Sequence, residues 1–312
     1  MKDFIKWSFL FFCPILIGMI SFECFLRNIP NDYSFKKNSL DLKSNETEVL
    51  FSGSSLIYYA INPEYIKRNA FNGAHISQSL NFDREILSKY EKKWDKLKYI
   101  IIPIDYFSMY TTLEEGIENW RVKNYNIYYG ISTNTNYKSS LEIFNGKLLG
   151  NIVRAKKYLF DNDSDITCNQ LGFGTNYNSK KSKDLIETGV IAAKRHTINI
   201  EKNKIIFSKN IETINSIIDF AKKRNIKLIF FTNPAYSTYR ENLNLYQLDN
   251  TINAIKHISK ENINVYYFNL LNDTTFISID YYDADHLNEI GAKKLTLKID
   301  SIINKIDSAN SK

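Results

Sequence analysis

The stretch LFSGSSLIYY, residues 50 to 59, begins as an apolar run, breaks at the small residues SGSS (52–55) and becomes apolar again at Leu56. An apolar run that stops at small residues before a second apolar run predicts a strand followed by a turn into a helix. Two interpretations of this turn are open. It is either an ordinary connection between two elements or a position that displays a serine nucleophile at the end of a strand.

The rest of the chain alternates strands and helices. Hydrophobic patterning predicts strands at 48–52, 70–72, 97–104, 226–232 and 263–270, and helices at 78–94, 211–224, 245–259 and 288–305. The continuous apolar run LKYIIIPI (97–104) is typical of a strand buried on both faces. This order predicts an α/β fold with a flavodoxin-like parallel sheet of about five strands flanked by helices.

The carboxyl ends of the predicted strands carry polar residues. Ligand sites of parallel sheets lie beyond these ends. Ser55, Ser77, Asp105, Asn233 and the segment after Asn269 all fall there. Residues 106–205 do not follow the alternation and contain helical pieces at 138–159 and 182–196. We interpret them as a cap-like insertion in a single α/β domain covering 48–312.

The N-terminal segment predicts a membrane anchor over residues 1–26. Residues 7–26 are mainly apolar and, as a helix, would span roughly 30 Å, the thickness of a bilayer core. A cleaved signal peptide is the alternative, but SFECFLRN (21–28) has no small-x-small cleavage site. Glu23 lies near the outer end of the segment, where it can reach lipid head groups.

Lysine placement predicts the orientation of this anchor. Lys2 and Lys6 favour a cytoplasmic N-terminus, so the chain would be a single-pass protein of the inner membrane. The main domain would then be periplasmic or extracellular, carried on a polar stalk at 27–47.

Composition and charge limit the classes of function that the sequence supports. The chain has 312 residues, an apolar fraction of 44% and a formal net charge of +7. Its basic residues lie in short scattered runs without interleaved aromatics, which argues against a nucleic-acid partner. Cys13 and Cys24 fall in the N-terminal segment and Cys168 is alone beyond it. With no CxxC pair and no Cys/His cluster, the sequence predicts no metal site and no cofactor.

A second candidate functional segment is YYDADHLNEIGAKKL, residues 281–295. Asp283 and His286 are three apart, just before or at a predicted helix start, which can bring both side chains to one side of the turn. A carboxylate so placed can orient an imidazole that serves as the general base for a serine. The alternative is that Asp283 or Asp285 only caps the helix and that His286 is a surface residue.

Together the two segments resemble the SGNH (GDSL-like) hydrolase superfamily. Its first block, a Gly-Asp-Ser or Gly-Ser-Ser turn after the first strand, corresponds to GSS at 53–55. Its last block, Asp-x-x-His-Leu-Asn-x-x-Gly, corresponds to DADHLNEIG at 283–291. The resemblance covers 48–305 and implies that Ser55 is the nucleophile, His286 the base and Asp283 its partner.

The middle blocks of the superfamily are matched less closely. The glycine that supplies a backbone N–H to the oxyanion hole is replaced by Ser77, which keeps such a donor. The asparagine of the third block is replaced by Asp105, and Asn233 is the candidate substitute donor, alongside the backbone of Ser55. Losing one oxyanion donor typically costs about 3–4 kcal/mol of transition-state stabilisation.

Four side chains are candidates for contacts with substrate: His75, Asp105, Tyr236 and Arg240. His75 follows the second strand, where a structural role is equally open. Tyr236 and Arg240 come from FTNPAYSTYREN (231–242), which is otherwise an ordinary loop after a strand.

The anchor, the altered third block and the Asn-Pro turn after the fourth strand look like a membrane-anchored branch that includes DltD-like and alginate O-acetylation proteins. That resemblance implies an extracytoplasmic esterase or O-acyltransferase that acts on an acylated carbohydrate, with a membrane-bound acyl-transfer or export partner. The alternative is a non-catalytic glycan-binding or scaffolding subunit of an envelope export complex. A phosphate or nucleotide site at the GSS turn is disfavoured, since the turn lacks a glycine-rich cradle.

Overall fold

The computed structural model describes residues 1–132, 140–145 and 148–310. The chain forms two compact units. The first contains residues 1–38 and 117–166, and the second contains residues 39–116 and 167–312.

The described residues form helices and strands that we number in chain order. The helices are α1 Lys2–Asn28, α2 Asp32–Lys43, α3 Ser55–Tyr58, α4 Leu80–Lys89, α5 Val122–Asn124, α6 Leu148–Phe160, α7 Leu185–His196, α8 Lys204–Lys223, α9 Ser237–Glu241, α10 Leu245–Glu261 and α11 Glu289–Asn310. The strands are β1 Val49–Phe51, β2 Ala70–Asn72, β3 Tyr99–Pro103, β4 Lys227–Thr232, β5 Val265–Asn269, β6 Tyr281–Asp283 and β7 His286–Leu287.

A five-stranded sheet in the order β2-β1-β3-β4-β5 forms the centre of the second unit. All four neighbouring pairs are parallel, with Leu50 opposite Ile100 and Ile101 opposite Ile229 in the register. Every residue of β1, β2 and β3 is buried, as expected for a sheet covered on both faces. The predicted α/β fold with a flavodoxin-like parallel sheet is therefore confirmed.

Amphipathic helices bury the apolar side chains that the 3.6-residue period places on one face. Helix α8 buries Ile214, Ile217 and Ala221, spaced three and four residues apart. Helix α11 belongs to the core through Leu295 and Ile299. The predicted helix at 211–224 begins earlier, at Lys204. The piece predicted at 138–159 starts in residues outside the described part, and the described helix there is α6.

Helix α1 is the only described helix long and apolar enough to cross a membrane by length and composition. It has 27 residues and contains Pro14. Its large apolar side chains are exposed from Phe4 to Ile20. Glu23, near the end of this helix, is buried. It pairs with Arg27 at 2.6 Å and accepts backbone N–H groups of Glu142 and Ile143 at 3.0 and 2.9 Å.

The region from 27 to 47, for which the sequence predicts a stalk, has helical structure. It contains helix α2, with Tyr33, Lys36 and Leu40 buried. Polar composition suggested a solvated segment, but burial here depends on contacts with residues distant in sequence.

The expected insertion at 106–205 is also divided differently. Residues 117–166 belong to the first unit with the N-terminal segment, whereas 167–205, including α7, belong to the sheet unit. Contacts between distant parts of the chain decide this division, and local hydrophobic patterning does not contain them.

Candidate active site

The SGSS turn connects β1 to the short helix α3. Ser54 caps this helix by accepting the backbone N–H of Leu56 at 3.3 Å, and Ser55 is its first residue. Gly53 has φ of +134°, a region that favours glycine. The turn therefore presents Ser55, which is half-buried, at the carboxyl end of a central strand.

Replacing Gly53 by alanine is expected to lower the free energy of unfolding by about 1–3 kcal/mol, because a non-glycine residue is strained at this φ. The added Cβ would also lie 2.6 Å from Cδ of Pro103. Gly73→Ala is the matched control, since its Cβ would meet Leu50 and Phe51 at 3.4 Å, an ordinary contact. Denaturant unfolding of both variants checks this, and equal losses would contradict it.

A buried polar cluster lies next to the turn. The side chains of Ser52 and Gln78 both donate to Asp83 Oδ1 at 2.5 Å, and the backbone of Gly53 also bonds Asp83. Burial raises the pKa of Asp83 to about 7, against the hydrogen bonds that lower it. These bonds tie the turn to α4, so they fix the backbone that precedes Ser55.

Asp283 and His286 lie on a two-stranded antiparallel hairpin, β6-β7, immediately before α11. Asp283 Oδ1 accepts the backbone N–H of His286 at 2.9 Å and that of Asp285 at 3.3 Å. Short side-chain acceptors stabilise tight turns in this way. The same oxygen lies 2.9 Å from Nδ1 of His286.

The hairpin brings His286 to Ser55. Nε2 of His286 lies 3.0 Å from Oγ of Ser55, although the two residues are 231 positions apart in sequence. His286 and Asp283 are both buried. The structure thus brings together the three residues predicted as nucleophile, base and partner, in a continuous chain of hydrogen-bonding contacts.

Asp285 does not cap the following helix, which was the alternative role considered for it. Its side chain is buried. Oδ1 of Asp285 lies 3.5 Å from Nδ1 of His286, so the imidazole faces two carboxylates. Asn288 caps α11 instead, by accepting the backbone N–H groups of Ile290 and Gly291 at 2.9 and 3.2 Å. The direction of the Asp285 side chain follows from the hairpin backbone, which sequence spacing did not reveal.

Two residues that the sequence did not single out contact Asp285. Oδ2 of Asp285 lies 3.4 Å from the guanidinium of Arg195 and 3.8 Å from Nδ1 of His196. The side chain of His196 is only 15% exposed and bonds the Tyr239 hydroxyl at 2.9 Å. A histidine and an arginine in the last turn of a helix gave no specific signal, because basic residues are common there.

The charges around His286 control its protonation. Burial lowers the pKa of His286, but the charges of Asp285 and Asp283 outweigh it and raise the pKa to about 10. Burial raises the pKa of Asp285, but the charge of His286 and its contact hold that pKa well below the usual range. His196 behaves differently, because burial lowers its pKa to about 4. The two carboxylates therefore favour the protonated form of His286, whereas burial favours the neutral form of His196.

Tyrosine rings pack around the imidazole of His286. Tyr59 and Tyr177 are stacked with ring centroids 3.7 Å apart, and Tyr282 stacks on the other face of Tyr177 at 3.8 Å. Tyr177 and Tyr59 meet the His286 ring edge to face at 5.3 and 6.3 Å. This packing limits rotation of the imidazole.

The residues near the predicted oxyanion hole lie beside the GSS turn. The backbone N–H of His75 donates to the carbonyl of Gly53 at 3.2 Å, and the His75 side chain is buried. Ser77 has φ of +59°, in the left-handed region. This segment is anchored to the turn before Ser55.

Asp105 and Asn233 pair with each other at the ends of β3 and β4. The backbone N–H and Nδ2 of Asn233 donate to the two oxygens of Asp105 at 2.8 and 3.0 Å. One hydrogen of Nδ2 remains, and the buried Oδ1 of Asn233 has no hydrogen-bond partner. Burial raises the pKa of Asp105 to about 6, against these bonds and the charge of His286. The pairing engages both residues proposed for oxyanion or substrate contacts.

Tyr236 and Arg240, the two remaining candidates for substrate contacts, make contacts in different parts of the structure. The backbone N–H of Tyr236 donates to the carbonyl of Ala284 at 2.9 Å, which places Tyr236 against the hairpin turn. Arg240 donates to Asn272 at 2.6 Å. This hydrogen bond does not link Arg240 to Ser55 or His286.

Asp283, Asp285 and His286 also offer potential metal ligands that lie within 4.8 Å of one another. A cation among them would replace the hydrogen that Nδ1 of His286 shares with Asp283. Nε2, the other ring nitrogen, faces Ser55. The arrangement fits a hydrogen-bonded imidazole better than a metal centre, so we assign no metal.

No protein-family model and no curated protein sequence matches the chain. Among solved structures, it is similar to a GDSL-like lipase from Bacteroides thetaiotaomicron, at 12% identity and a TM-score of 0.41 over 90% of this chain and 99% of that chain. It is similar to a candidate acylhydrolase from Bacteroides fragilis, at 11% identity and a TM-score of 0.40 over 87% and 95%. A candidate platelet activating factor from Streptococcus pneumonia matches at 9% identity and a TM-score of 0.40 over 93% and 97%. Similarity this low assigns no activity or substrate to this chain.

Proposed function

We propose that this protein is a serine acyl-esterase or O-acyltransferase of the SGNH type, with Ser55, His286 and Asp283 as its catalytic triad. The observation that carries the proposal is the contact chain from Ser55 Oγ through the two nitrogens of His286 to Asp283, at 3.0 and 2.9 Å. A serine hydroxyl, an imidazole and a carboxylate in this order form the arrangement that activates serine nucleophiles.

The chemistry proceeds in two steps. With Nδ1–H donated to Asp283, Nε2 of neutral His286 accepts the proton of Ser55 as Oγ attacks the ester carbonyl. Collapse of the tetrahedral intermediate expels the alcohol, which takes that proton, and leaves an acyl group on Ser55. Water or a sugar hydroxyl then attacks the acyl carbonyl and gives its proton to Nε2 of His286. As the second tetrahedral intermediate collapses, the bond to Oγ breaks and His286 returns the proton to Ser55.

Three donors are proposed for the oxyanion: the backbone N–H groups of Ser55 and Ser77, and the remaining hydrogen on Nδ2 of Asn233. Donors aimed at the developing negative charge stabilise the intermediate. Asp105 supports this set indirectly, since it accepts the other Nδ2 hydrogen of Asn233 and so orients the amide.

The substrate class follows from the anchor and from the resemblance to DltD-like and alginate O-acetylation proteins. A domain held outside the inner membrane by α1 would meet acylated carbohydrates of the envelope or of an exported polysaccharide. Transfer rather than hydrolysis would need a membrane-bound partner that supplies the acyl group. We therefore propose an ester of such a carbohydrate as the substrate.

A reporter fused after Lys312 tests the topology. Lys2 and Lys6 precede the apolar helix, which favours a cytoplasmic N-terminus and an external C-terminus. Alkaline phosphatase fused there is expected to be active and a fluorescent protein that matures only in the cytoplasm is expected to be dark. The opposite pattern would rule out an envelope substrate.

A non-catalytic glycan-binding or scaffolding subunit is the second candidate function. It is favoured by Asp105, a carboxylate where the resemblance calls for an amide donor, and by the protonated resting state of His286. A carboxylate donates no hydrogen to an oxyanion, and a protonated His286 has no lone pair on Nε2 with which to accept the proton of Ser55.

Ester turnover by the full-length protein separates the two functions. The wild type is expected to release acetate from an O-acetylated polysaccharide and nitrophenol from p-nitrophenyl acetate, and Ser55→Ala is expected to release neither. Ser54→Ala is the matched control, because Ser54 caps α3 without contacting His286. Binding of the polysaccharide by both wild type and Ser55→Ala, with no release by either, would support the scaffold instead.

A further inference from the structure

Helix α6, in the first unit, presents its apolar side outward. Its exposed residues include Leu149, Val153 and Phe160, which are 75%, 53% and 79% exposed. Leu148, Ile152 and Leu159 extend the same face and are also exposed. At 100° per residue these six positions fall within an arc of about 140°, which also contains the exposed Lys156. A helix on the surface of a soluble domain normally shows the reverse arrangement.

The polar side of α6 is fixed inward by hydrogen bonds and ion pairs. Asn151 is buried and donates to the carbonyl of Glu142 at 3.3 Å. Arg154 contacts the carboxylate of Glu142 at 3.3 Å and also pairs with Asp165. Rotating the helix to hide its apolar face would break these buried contacts and expose Ala155. The outward apolar face is therefore set by the packing of the unit.

The same unit holds the end of the apolar helix α1. Phe25 of α1 and Tyr158 of α6 pack with ring centroids 6.1 Å apart. Glu23 accepts the backbone N–H groups of 142 and 143, just before α6, and Arg27 donates to the carbonyl of Ser140 at 2.6 Å. Helix α6 and the residues just before it thus pack against the end of α1, where α1 would leave a bilayer.

We propose that the exposed face of α6, formed by Leu148, Leu149, Ile152, Val153, Leu159 and Phe160, lies on the surface of the lipid bilayer. Three observations favour lipid as the occupant: the exposed apolar face, the packing of another side of the same helix against the end of α1, and the exposed lysines Lys156, within the apolar arc, and Lys157, beside it. Basic residues beside an apolar face are typical of helices at an anionic interface, where long stems let the ammonium reach head groups.

Fluorescence quenching in vesicles tests this contact. The full chain, with Cys13, Cys24 and Cys168 replaced by serine, would be reconstituted in phosphatidylethanolamine–phosphatidylglycerol vesicles that contain a doxyl-labelled lipid. An environment-sensitive dye is attached at Leu149→Cys or Val153→Cys. Most of the fluorescence is expected to be lost, as at Ile17→Cys within α1. Ile263→Cys, at a residue 97% exposed and outside both helices, is the control for quenching that is not specific to α1 and α6.

The inference rests on the same anchor as the proposed function. The different labelled positions show whether the α6 contact fails alone or together with the anchor. Quenching at Ile17 without quenching at Leu149 and Val153 would overturn the α6 contact and leave the anchor intact. No quenching at Ile17 would overturn both. Dyes on α6 that are shielded from aqueous iodide but unaffected by the doxyl lipid would also overturn it, and would indicate a protein on this face, such as a second copy of the chain.

Discussion

Replacing His286 by alanine is expected to lower ester turnover by about 10⁶-fold, the typical cost of removing a triad base. The physical reason is that Nε2 of His286, 3.0 Å from Ser55 Oγ, is the group placed to accept the serine proton. Asp283→Asn is expected to cost about 10⁴-fold, because an amide at this position favours the wrong imidazole tautomer. The measurement is turnover of p-nitrophenyl acetate at the optimum pH.

His257→Ala is the matched control for this result. His257 is a histidine whose side chain is 72% exposed and contacts Glu261, in helix α10. It should retain full activity, and all variants should keep the wild-type melting temperature within a few degrees. If a folded His286→Ala protein retained turnover within tenfold of the wild type, the triad would not be the catalytic centre.

The second large effect is the dependence of turnover on pH. Only the neutral imidazole accepts a proton, and the pKa of His286 is raised to about 10. Turnover should therefore rise about tenfold per pH unit, on the order of 10³-fold from about pH 7 to about pH 10. Asp105 and His196, with pKa values of about 6 and about 4, complete their titration below this range and should not shape it.

Asp285→Asn tests the cause of this dependence. Among the groups that raise the pKa of His286, the charge of Asp285 is the largest, so its removal should shift the rising limb to lower pH and increase turnover at pH 7. Asp283, which bonds Nδ1 directly, stays in place. Parallel rates with Ser55→Ala correct for alkaline hydrolysis of the ester. Wild-type turnover that has already reached its maximum near the ordinary histidine pKa would contradict this account. The same holds if Asp285→Asn leaves the pH dependence of turnover unchanged.

The sequence predicted the parts of the structure that depend on local pattern. Apolar runs identified the five strands, and the ends of those strands placed Ser55 and Asn233 at one edge of the sheet. The three-residue spacing in DADH suggested that Asp283 reaches His286, because such a short turn leaves few alternatives.

Long-range packing decided what the sequence did not predict. Helix capping by Asp285 was the alternative to the triad, but the β6-β7 hairpin turns its carboxylate to His286 and Arg195. The sequence did not single out His196, whose hydrogen-bond partner Tyr239 lies far away in sequence. It also did not show that Glu23 bonds the backbone groups of 142 and 143. Each case depends on a contact partner that periodicity and motif spacing do not identify.

Covalent labelling with a fluorophosphonate probe tests the central claim most directly, because the probe reacts only with an activated serine. The full-length wild type at alkaline pH is expected to gain one adduct, which mass spectrometry should place on Ser55 and not on Ser54 or Ser52. Ser55→Ala and His286→Ala should remain unlabelled, whereas Ser54→Ala should label as the wild type does. A folded wild type that stays unlabelled, or an adduct on Ser54 that persists in Ser55→Ala, would contradict the assignment of Ser55 as the nucleophile.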